Sequence, residues 1–324
     1  VVQSKMTGTI KVTSTSTATV SYIGGIAGKV LGTLSNNEMS GEIEMTSGNK
    51  FFVGGVAGAL PDVTTIKNNS FLGTLTLSGG KSASMALGGL YGCVLQDRSF
   101  DAATDKSMSA GHINVTGYTG STTTNLFVGG FVATVEPNVE LAFNGYENLT
   151  NINYDQKVNR NTSYACFGGI FGGCDPNNAC KSVSFENLIN NGTFSTAYDK
   201  SVALTLSRGF VGGIAGFVNG NATFKNCSNK AELGKTPDNL NNSRSNGYFM
   251  VFGGIAGVVI SGNADFESCT NVGAITNWFY SNHYVGNTKD GWIDPCTAAG
   301  ILGAFDYKVS STGGKLTISK CENN

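Results

Sequence analysis

The residues best suited to chemistry lie in one aromatic-rich segment, "NWFYSNHYVGNTKDGWIDP", at residues 277–295. It holds both tryptophans of the chain and one of its two histidines, together with tyrosine and aspartate side chains. Such a cluster suits stacking against sugar rings and hydrogen bonding to their hydroxyls. The candidate ligand-binding residues are Trp278, Tyr280, His283, Tyr284, Asp290 and Trp292. The alternative is that these aromatic side chains cap an open end of a repeat stack.

Other patterns give no support to catalysis, and we expect no enzyme activity. Acidic side chains do not recur in register on neighbouring repeats, as the paired carboxylates of a glycosidase require. His112 occupies a position that is Thr, Glu or Ala in other repeats, which predicts an outward-facing strand residue. The glycine runs lack the Lys-Ser/Thr that follows a phosphate-binding loop. No catalytic residue, metal site or cofactor is predicted.

The chain contains eight cysteines. Cys174 and Cys180 flank "DPNNA", a turn that can bring them together, so an oxidising environment would permit a disulfide between them. The alternative is that the cysteines are free and behave as small hydrophobic residues. Cys227, Cys269 and Cys321 occupy the same place in three repeats and are expected to stack as small buried residues. A metal site is not expected, because there is no Cys-x-x-Cys and only two histidines are present.

Charge and hydrophobicity exclude several classes of partner. The 324 residues include 21 basic and 22 acidic side chains, giving a net charge of -1. This balance argues against a nucleic-acid partner or an anionic membrane recognised by bulk charge. The longest apolar runs, about ten residues, are too short for the roughly 20 that a membrane span requires. Because the chain begins with Val and has no signal segment, we expect a mature product or a piece of a longer protein.

The candidate residues and the cysteines belong to a chain that is built from one repeated unit. It is recognised by a glycine pair within a short apolar run, as in "GFVGGIAGFV" from Gly209, and it recurs eight times. The first position of the pair is residue 24, 54, 88, 129, 168, 212, 253 and 299, with Ala at the last. A second half-motif follows each run, for example "FKNCSNKAEL", and is typical of a strand, an Asn-rich turn and another strand.

Short Val, Ile, Phe and Thr runs bounded by Gly and Asn indicate an all-β protein. Eight such repeats fit a parallel β-solenoid of about eight coils, or alternatively an eight-bladed β-propeller. The shortest repeat offers about 30 residues, which suits a solenoid coil better than a four-stranded blade. We therefore favour a single repeat domain over 1–324, interrupted by the insertion at 277–295.

The units "VGGIAGFV…FKNCSNKAEL" and "FGGIAGVV…FESCTNVGAI" resemble the GLUG-type repeats of bacterial surface and secreted proteins, notably large cell-surface proteins of Bacteroidetes. The resemblance covers nearly the whole chain, although Ala133 replaces the third glycine in one copy. It implies an extracellular or cell-surface, adhesin-like module without a catalytic site.

Three functions follow as expectations. The first is a non-catalytic structural or adhesive module that contacts a glycan or a host or cell-surface protein. The second is a carbohydrate-binding or carbohydrate-processing domain acting through 277–295. The third is a filament subunit that associates end to end.

The glycines themselves suggest a core pattern. In "FVGGIAGFV", Phe210, Gly212, Ile214, Gly216 and Val218 alternate with the remaining residues. Strand alternation predicts that this set faces the core, with glycines as spacers between stacked apolar side chains. The pair Gly212-Gly213 can instead form a corner of the coil, and the sequence leaves both options open.

Overall fold

The computed structural model describes residues 1–13, 20–46, 50–61, 65–78, 84–116, 118, 124–156, 162–198, 207–235, 248–276, 297–305 and 314–324. These residues form a parallel β-solenoid, as predicted. Each strand pairs in parallel with its equivalent in the next turn, so every sheet runs along the stack. The propeller alternative is wrong, because propeller blades are separate four-stranded units around a central channel.

Eight coils, each beginning at a glycine-pair strand, follow a first partial turn made of two strands. Numbered in chain order, the strands belong to five columns. Sheet I consists of β1 (Lys5–Met6), β6 (Glu38–Met39), β11 (Ser70–Phe71), β16 (Met108–Ser109), β21 (Glu147–Asn148), β26 (Ile189–Asn190), β31 (Ser228–Asn229), β36 (Thr270–Asn271) and β40 (Glu322–Asn323). Sheet II consists of β2 (Thr9–Val12), β7 (Glu42–Met45), β12 (Thr74–Ser78), β17 (His112–Thr116), β22 (Asn151–Gln156), β27 (Phe194–Tyr198) and β32 (Leu233–Lys235).

The glycine-pair strands and those that follow them make up the other columns. Sheet III consists of β3 (Val20–Gly24), β8 (Lys50–Gly54), β13 (Met85–Gly88), β18 (Thr124–Gly129), β23 (Thr162–Gly168), β28 (Ser207–Gly212), β33 (Tyr248–Gly253) and β37 (Thr297–Ala299). Sheet IV consists of β4 (Ala27–Lys29), β9 (Ala57–Leu60), β14 (Tyr91–Val94), β19 (Val132–Val135), β24 (Phe171–Gly173), β29 (Ala215–Asn219), β34 (Ala256–Ile260) and β38 (Leu302–Phe305). Sheet V consists of β15 (Arg98–Asp101), β20 (Glu140–Asn144), β25 (Ser182–Glu186), β30 (Asn221–Lys225), β35 (Ala264–Glu267) and β39 (Leu316–Ser319), preceded in the first two coils by the pair β5 (Thr33–Ser35) and β10 (Thr65–Lys67).

The register of sheet III agrees with the sequence repeat. The first residue of every glycine pair lies beside its counterpart in the next coil, from Gly24 beside Gly54 to Gly253 beside Ala299. Insertions between repeats therefore change the length of a coil without shifting the strands.

Of the two options that the sequence left open at Gly212-Gly213, the corner is confirmed, and alternation continued across the glycines is wrong. Strands β28 and β29 are separated by a bend at Gly213 and Ile214. Ile214 packs in the main core as expected, but Phe210 lies with Phe217 in a second apolar cluster. Alternation continues along a straight strand only, so a corner resets which residues face the core.

The glycines also serve a different purpose from spacing apolar side chains. A Cβ added to Gly212 would lie 1.9 Å from the carbonyl oxygen of Ala215, across the corner. A Cβ on Gly216 would lie 2.6 Å from the backbone nitrogen of Phe167, in the preceding coil. Glycine is required because the backbones of sheets III and IV approach each other too closely for any side chain.

Aromatic stacking continues the core through sheet V. Phe100, Phe143, Phe185, Phe224 and Phe266 occupy one position in five successive coils. Their ring centroids are 4.5 to 6.0 Å apart, and neighbouring rings are close to parallel. Offset stacking at this spacing stabilises the contact between coils beyond simple burial.

An asparagine ladder runs along sheet I; its first four members are buried and its last, Asn323, is exposed. The side-chain amides of five residues, one in each of the last five coils, are joined head to tail by hydrogen bonds of 2.8 Å. The members are Asn148, Asn190, Asn229, Asn271 and Asn323. Met6, Met39 and Phe71 occupy the same column in the earlier turns.

Three residues before the ladder position, the chain turns through a single left-handed residue. Asn36, Asn68, Asn187 and Asn226 have φ between 52° and 56° at this corner. Asparagine tolerates this conformation better than most residues. In the ranges given above, no helix is long and apolar enough to cross a membrane.

Candidate ligand-binding face

The six aromatic-segment candidates all lie outside the described residues. Trp278, Tyr280, His283, Tyr284, Asp290 and Trp292 belong to 277–296, which separates coil seven from coil eight. Their role in ligand binding, or in covering the end of the stack, stays a prediction.

The two cysteines predicted to form a disulfide are both buried, and both are free thiols in the structure. They are close enough to interact: burial, reinforced by a hydrogen bond with Cys180, raises the pKa of the Cys174 thiol. The thiol of Cys180 also donates to the carbonyl oxygen of Asn219 at 3.1 Å. The disulfide itself stays a prediction.

The predicted cysteine stack is confirmed. Cys227, Cys269 and Cys321 lie directly before paired sheet I strands in coils six to eight. The backbone nitrogen of Cys269 donates to the sulfur of Cys321 at 3.4 Å. Cys227 and Cys269 are buried, while Cys321 is partly exposed.

One buried network was not anticipated from the sequence. The carboxylate of Asp105 accepts hydrogen bonds from the backbone nitrogens of Asn68 and Ser107, at 2.8 and 2.9 Å, and from the hydroxyl of Tyr146 at 3.0 Å. Burial raises the pKa of the Tyr146 hydroxyl, and the neighbouring Asp105 charge adds to the effect. Asp105 is only 6% exposed, so this network closes the corner of coil three and offers no surface to a ligand.

The outer side of sheet II carries the most regular exposed array of polar side chains. Its strands alternate, so Ile113, Val115 and Ile152 point into the core while the residues between them point outward. His112 is exposed, as predicted, and lies between Thr74 and Asn151 of the neighbouring coils. Two outward columns result from this alternation, each with one residue per coil.

Eight residues in coils two to five make up the part that we call the polar face. The first column is Thr74, His112, Asn151 and Thr193, and the second is Thr76, Asn114, Asn153 and Ser195. None of the eight carries a carboxylate, ammonium or guanidinium group. Hydroxyl, amide and imidazole groups both donate and accept hydrogen bonds.

Hydrogen bonds between coils fix the orientation of these side chains. The amide nitrogen of Asn153 donates to the amide oxygen of Asn114 at 2.8 Å, and the hydroxyl of Ser195 donates to Asn153. In the other column, the hydroxyl of Thr193 donates to the amide oxygen of Asn151 at 2.9 Å. The backbone nitrogen of Thr193 donates to the same oxygen at 3.0 Å.

Charged residues border both ends of the polar face, and an apolar rim runs beside it. In coil one, Glu42 pairs with Thr74 and accepts a hydrogen bond from the hydroxyl of Thr76 at 3.2 Å, and in coil six Lys235 pairs with Ser195. Lys11 and Glu44 form an ion pair of 3.0 Å at the end nearest the first turn. The rim is made of Leu72, Met108 and Leu149, which are 38% to 42% exposed. Leu72 and Leu149 lie two residues before Thr74 and Asn151, so they extend the outward row towards sheet I.

The polar face could have been found in the sequence. Segments such as "GTLTLSG" and "GHINVTG" alternate strictly between apolar and polar residues, which predicts a half-buried strand. Among the described residues, no group of three or more His, Cys, Asp or Glu side chains is arranged to hold a metal ion.

Comparisons of the chain with protein-family models, with curated proteins and with solved structures found no significant match. The function is therefore argued from the geometry of the solenoid and its outer faces.

Proposed function

We propose that the protein is a non-catalytic structural and adhesive module of a secreted or cell-surface protein. The observation that carries this proposal is the unbroken stacking of the coils, in which sheet I alone pairs nine strands in succession. At the roughly 4.8 Å spacing of paired strands, this stack is a rod about 40 Å long. Backbone pairing joins all neighbouring coils, stacked phenylalanines join coils three to seven, and the asparagine ladder joins coils four to eight, so the rod can act as a spacer.

Two further features support an adhesive role. The outer surface of sheet II repeats its polar groups in register from coil to coil, which suits contact with an extended partner. The resemblance to GLUG-type repeats is consistent with an extracellular location. Two alternatives remain. Ligand binding through 277–295 involves residues outside the described ranges, and end-to-end association involves a second copy of the chain.

The experiment tests whether the protein adheres to a coated surface without releasing a reaction product. Beads that carry the purified protein are incubated with surfaces coated with neutral glycans, acidic glycans or extracellular matrix proteins. We expect retention on at least one coating, and no released product by mass spectrometry of the supernatant. Release of sugars or peptides that rises with time would contradict the proposal, as would the absence of retention on every coating.

A further inference from the structure

We infer that the polar face of sheet II binds an uncharged polysaccharide, laid along the axis of the solenoid. This rests on the proposed function and names its ligand class and contact surface. The first support is geometric. Residues of one column repeat at the strand spacing of about 4.8 Å, and the two columns are separated by two residues, about 6.6 Å. Such a surface presents equivalent groups at regular intervals to a polymer that itself repeats.

The second support is the chemistry of the side chains. Sugar hydroxyls donate and accept hydrogen bonds, and so do the hydroxyl, amide and imidazole groups of the polar face. The bonds from Asn153 to Asn114 and from Thr193 to Asn151 hold these groups in place before a ligand arrives. A ligand therefore meets side chains whose conformational freedom is already restricted, which lowers the entropic cost of binding.

Charge selects the class of polymer. Within the polar face there is no carboxylate or ammonium group, and the carboxylate bonded to it, Glu42, accepts from the hydroxyl of Thr76 at 3.2 Å. An acidic polysaccharide or a nucleic acid would gain no ion pair there to offset the desolvation of its own charges. A neutral polysaccharide has no such cost, so the face favours it.

The apolar rim completes the complementarity. Sugar rings have apolar C–H faces as well as polar edges, and small-ligand sites combine apolar walls with a few placed polar groups. Leu72 and Leu149 provide the apolar side at 40% and 42% exposure. They lie next to Thr74 and Asn151 in the same outward rows, so one sugar unit can contact both.

The experiment is native gel electrophoresis in gels cast with a neutral polysaccharide: dextran, galactomannan, hydroxyethyl cellulose or a soluble β-glucan. A gel cast with polygalacturonate serves as the acidic comparison. We expect at least one neutral polymer to retard the protein, and polygalacturonate to have no effect. Retardation by polygalacturonate alone, or by none of these polymers, would overturn the inference.

The variant His112→Ala/Thr193→Ala tests the location, because both side chains are exposed and their removal leaves the core intact. Loss of two polar contacts should weaken binding, so that the apparent dissociation constant rises about tenfold. The matched control, Ser184→Ala/Thr223→Ala, removes two exposed hydroxyls from the outer side of sheet V and should bind normally. Equal weakening by both variants, or by neither, would contradict the assignment.

A third variant, Trp278→Ala/Trp292→Ala, separates this surface from the aromatic segment. If it alone abolishes binding, the ligand site lies in 277–295 and the inference is wrong, although the proposed function stands. Bead adhesion that survives the sheet II variant leads to the same conclusion. Failure of adhesion on every coating instead removes the proposed function itself.

Discussion

The side-chain amide of Asn190 donates a hydrogen bond of 2.8 Å to the amide oxygen of Asn229, one coil further along the stack. Asn190 also accepts from Asn148, and its amide nitrogen donates to the carbonyl oxygen of Gly192 at 3.0 Å. Both asparagines of the first bond are fully buried. One side chain therefore satisfies polar groups in three coils, and its loss is costly.

Asn190→Ala should lower the free energy of unfolding by about 3 kcal/mol, because buried donors and acceptors on Asn148 and Asn229 lose their partner. Denaturant titration followed by circular dichroism measures the change. Asn177→Ala provides the control, since Asn177 is exposed in the turn between Cys174 and Cys180. A loss as small as that of the control would show that the ladder contributes little.

Gly216→Ala should be among the most disruptive single-methyl changes in the chain. The new Cβ would lie 2.6 Å from backbone atoms of Gly172 and Phe167, which cannot move without shifting the preceding coil. We expect a loss of about 3 kcal/mol or more, or insoluble protein.

Gly8→Ala is the matched substitution, because nothing lies within 4 Å of a Cβ at that position. It should leave the denaturation midpoint nearly unchanged. Equal tolerance of both substitutions would mean that sheets III and IV lie further apart than described.

Alkaline pH should destabilise the fold. Burial raises the pKa of Tyr118 to about 12, and it raises the pKa of Tyr91 and Tyr146 as well. Above about pH 10, tyrosines ionise in the unfolded chain but stay protonated in the folded one. The stability that these residues contribute is complete below pH 10 and is lost as the pH rises.

Tyrosinate absorbance recorded alongside circular dichroism checks this order of events. The buried tyrosines should ionise together with unfolding, and Tyr118→Phe should reduce the slope of stability against pH. Ionisation of all tyrosines near pH 10 with the fold intact would contradict the prediction.

Thiol reactivity should follow burial. In native protein, iodoacetamide should modify Cys321 before Cys93 and Cys166, because Cys321 is partly exposed and burial raises the pKa of the other two thiols well above the ordinary value.

The Cys174–Cys180 disulfide should form when the protein is treated with a diazene oxidant, which accepts the two electrons and two protons. Peptide mapping under non-reducing conditions would detect it. Rapid alkylation of both cysteines after that treatment would contradict it.

The repeat in the sequence predicted the coil and its register because a glycine pair is needed wherever two backbones approach closely. It did not predict the orientation of Phe210, since a straight strand and a corner at Gly212-Gly213 fit the sequence equally well, and only the corner turns Phe210 away from the main core. Asparagine was likewise ambiguous: Asn226 turns the chain at φ 52° while Asn229, three residues later, is buried in the ladder. Both occur in one polar stretch, and composition alone does not distinguish a turn residue from an interior one.

The polar face was missed for a related reason. Its outward positions change from Thr to His to Asn along the column, so no repeated letter marks them. The inward positions keep the same residue types because packing restricts them. The outward positions of the strands are not restricted by packing, so their residue types can vary.

The asparagine ladder gives the rod two unlike halves. Polar bonds cross every coil boundary from Asn148 to Asn323, whereas thioether and phenyl groups fill that column before Ser109. Since repeat stability depends on contacts between neighbours, we expect a pulled molecule to unravel coil by coil from its first turns, while the later coils yield together. A rod built in this way would have a compliant end and a stiff one.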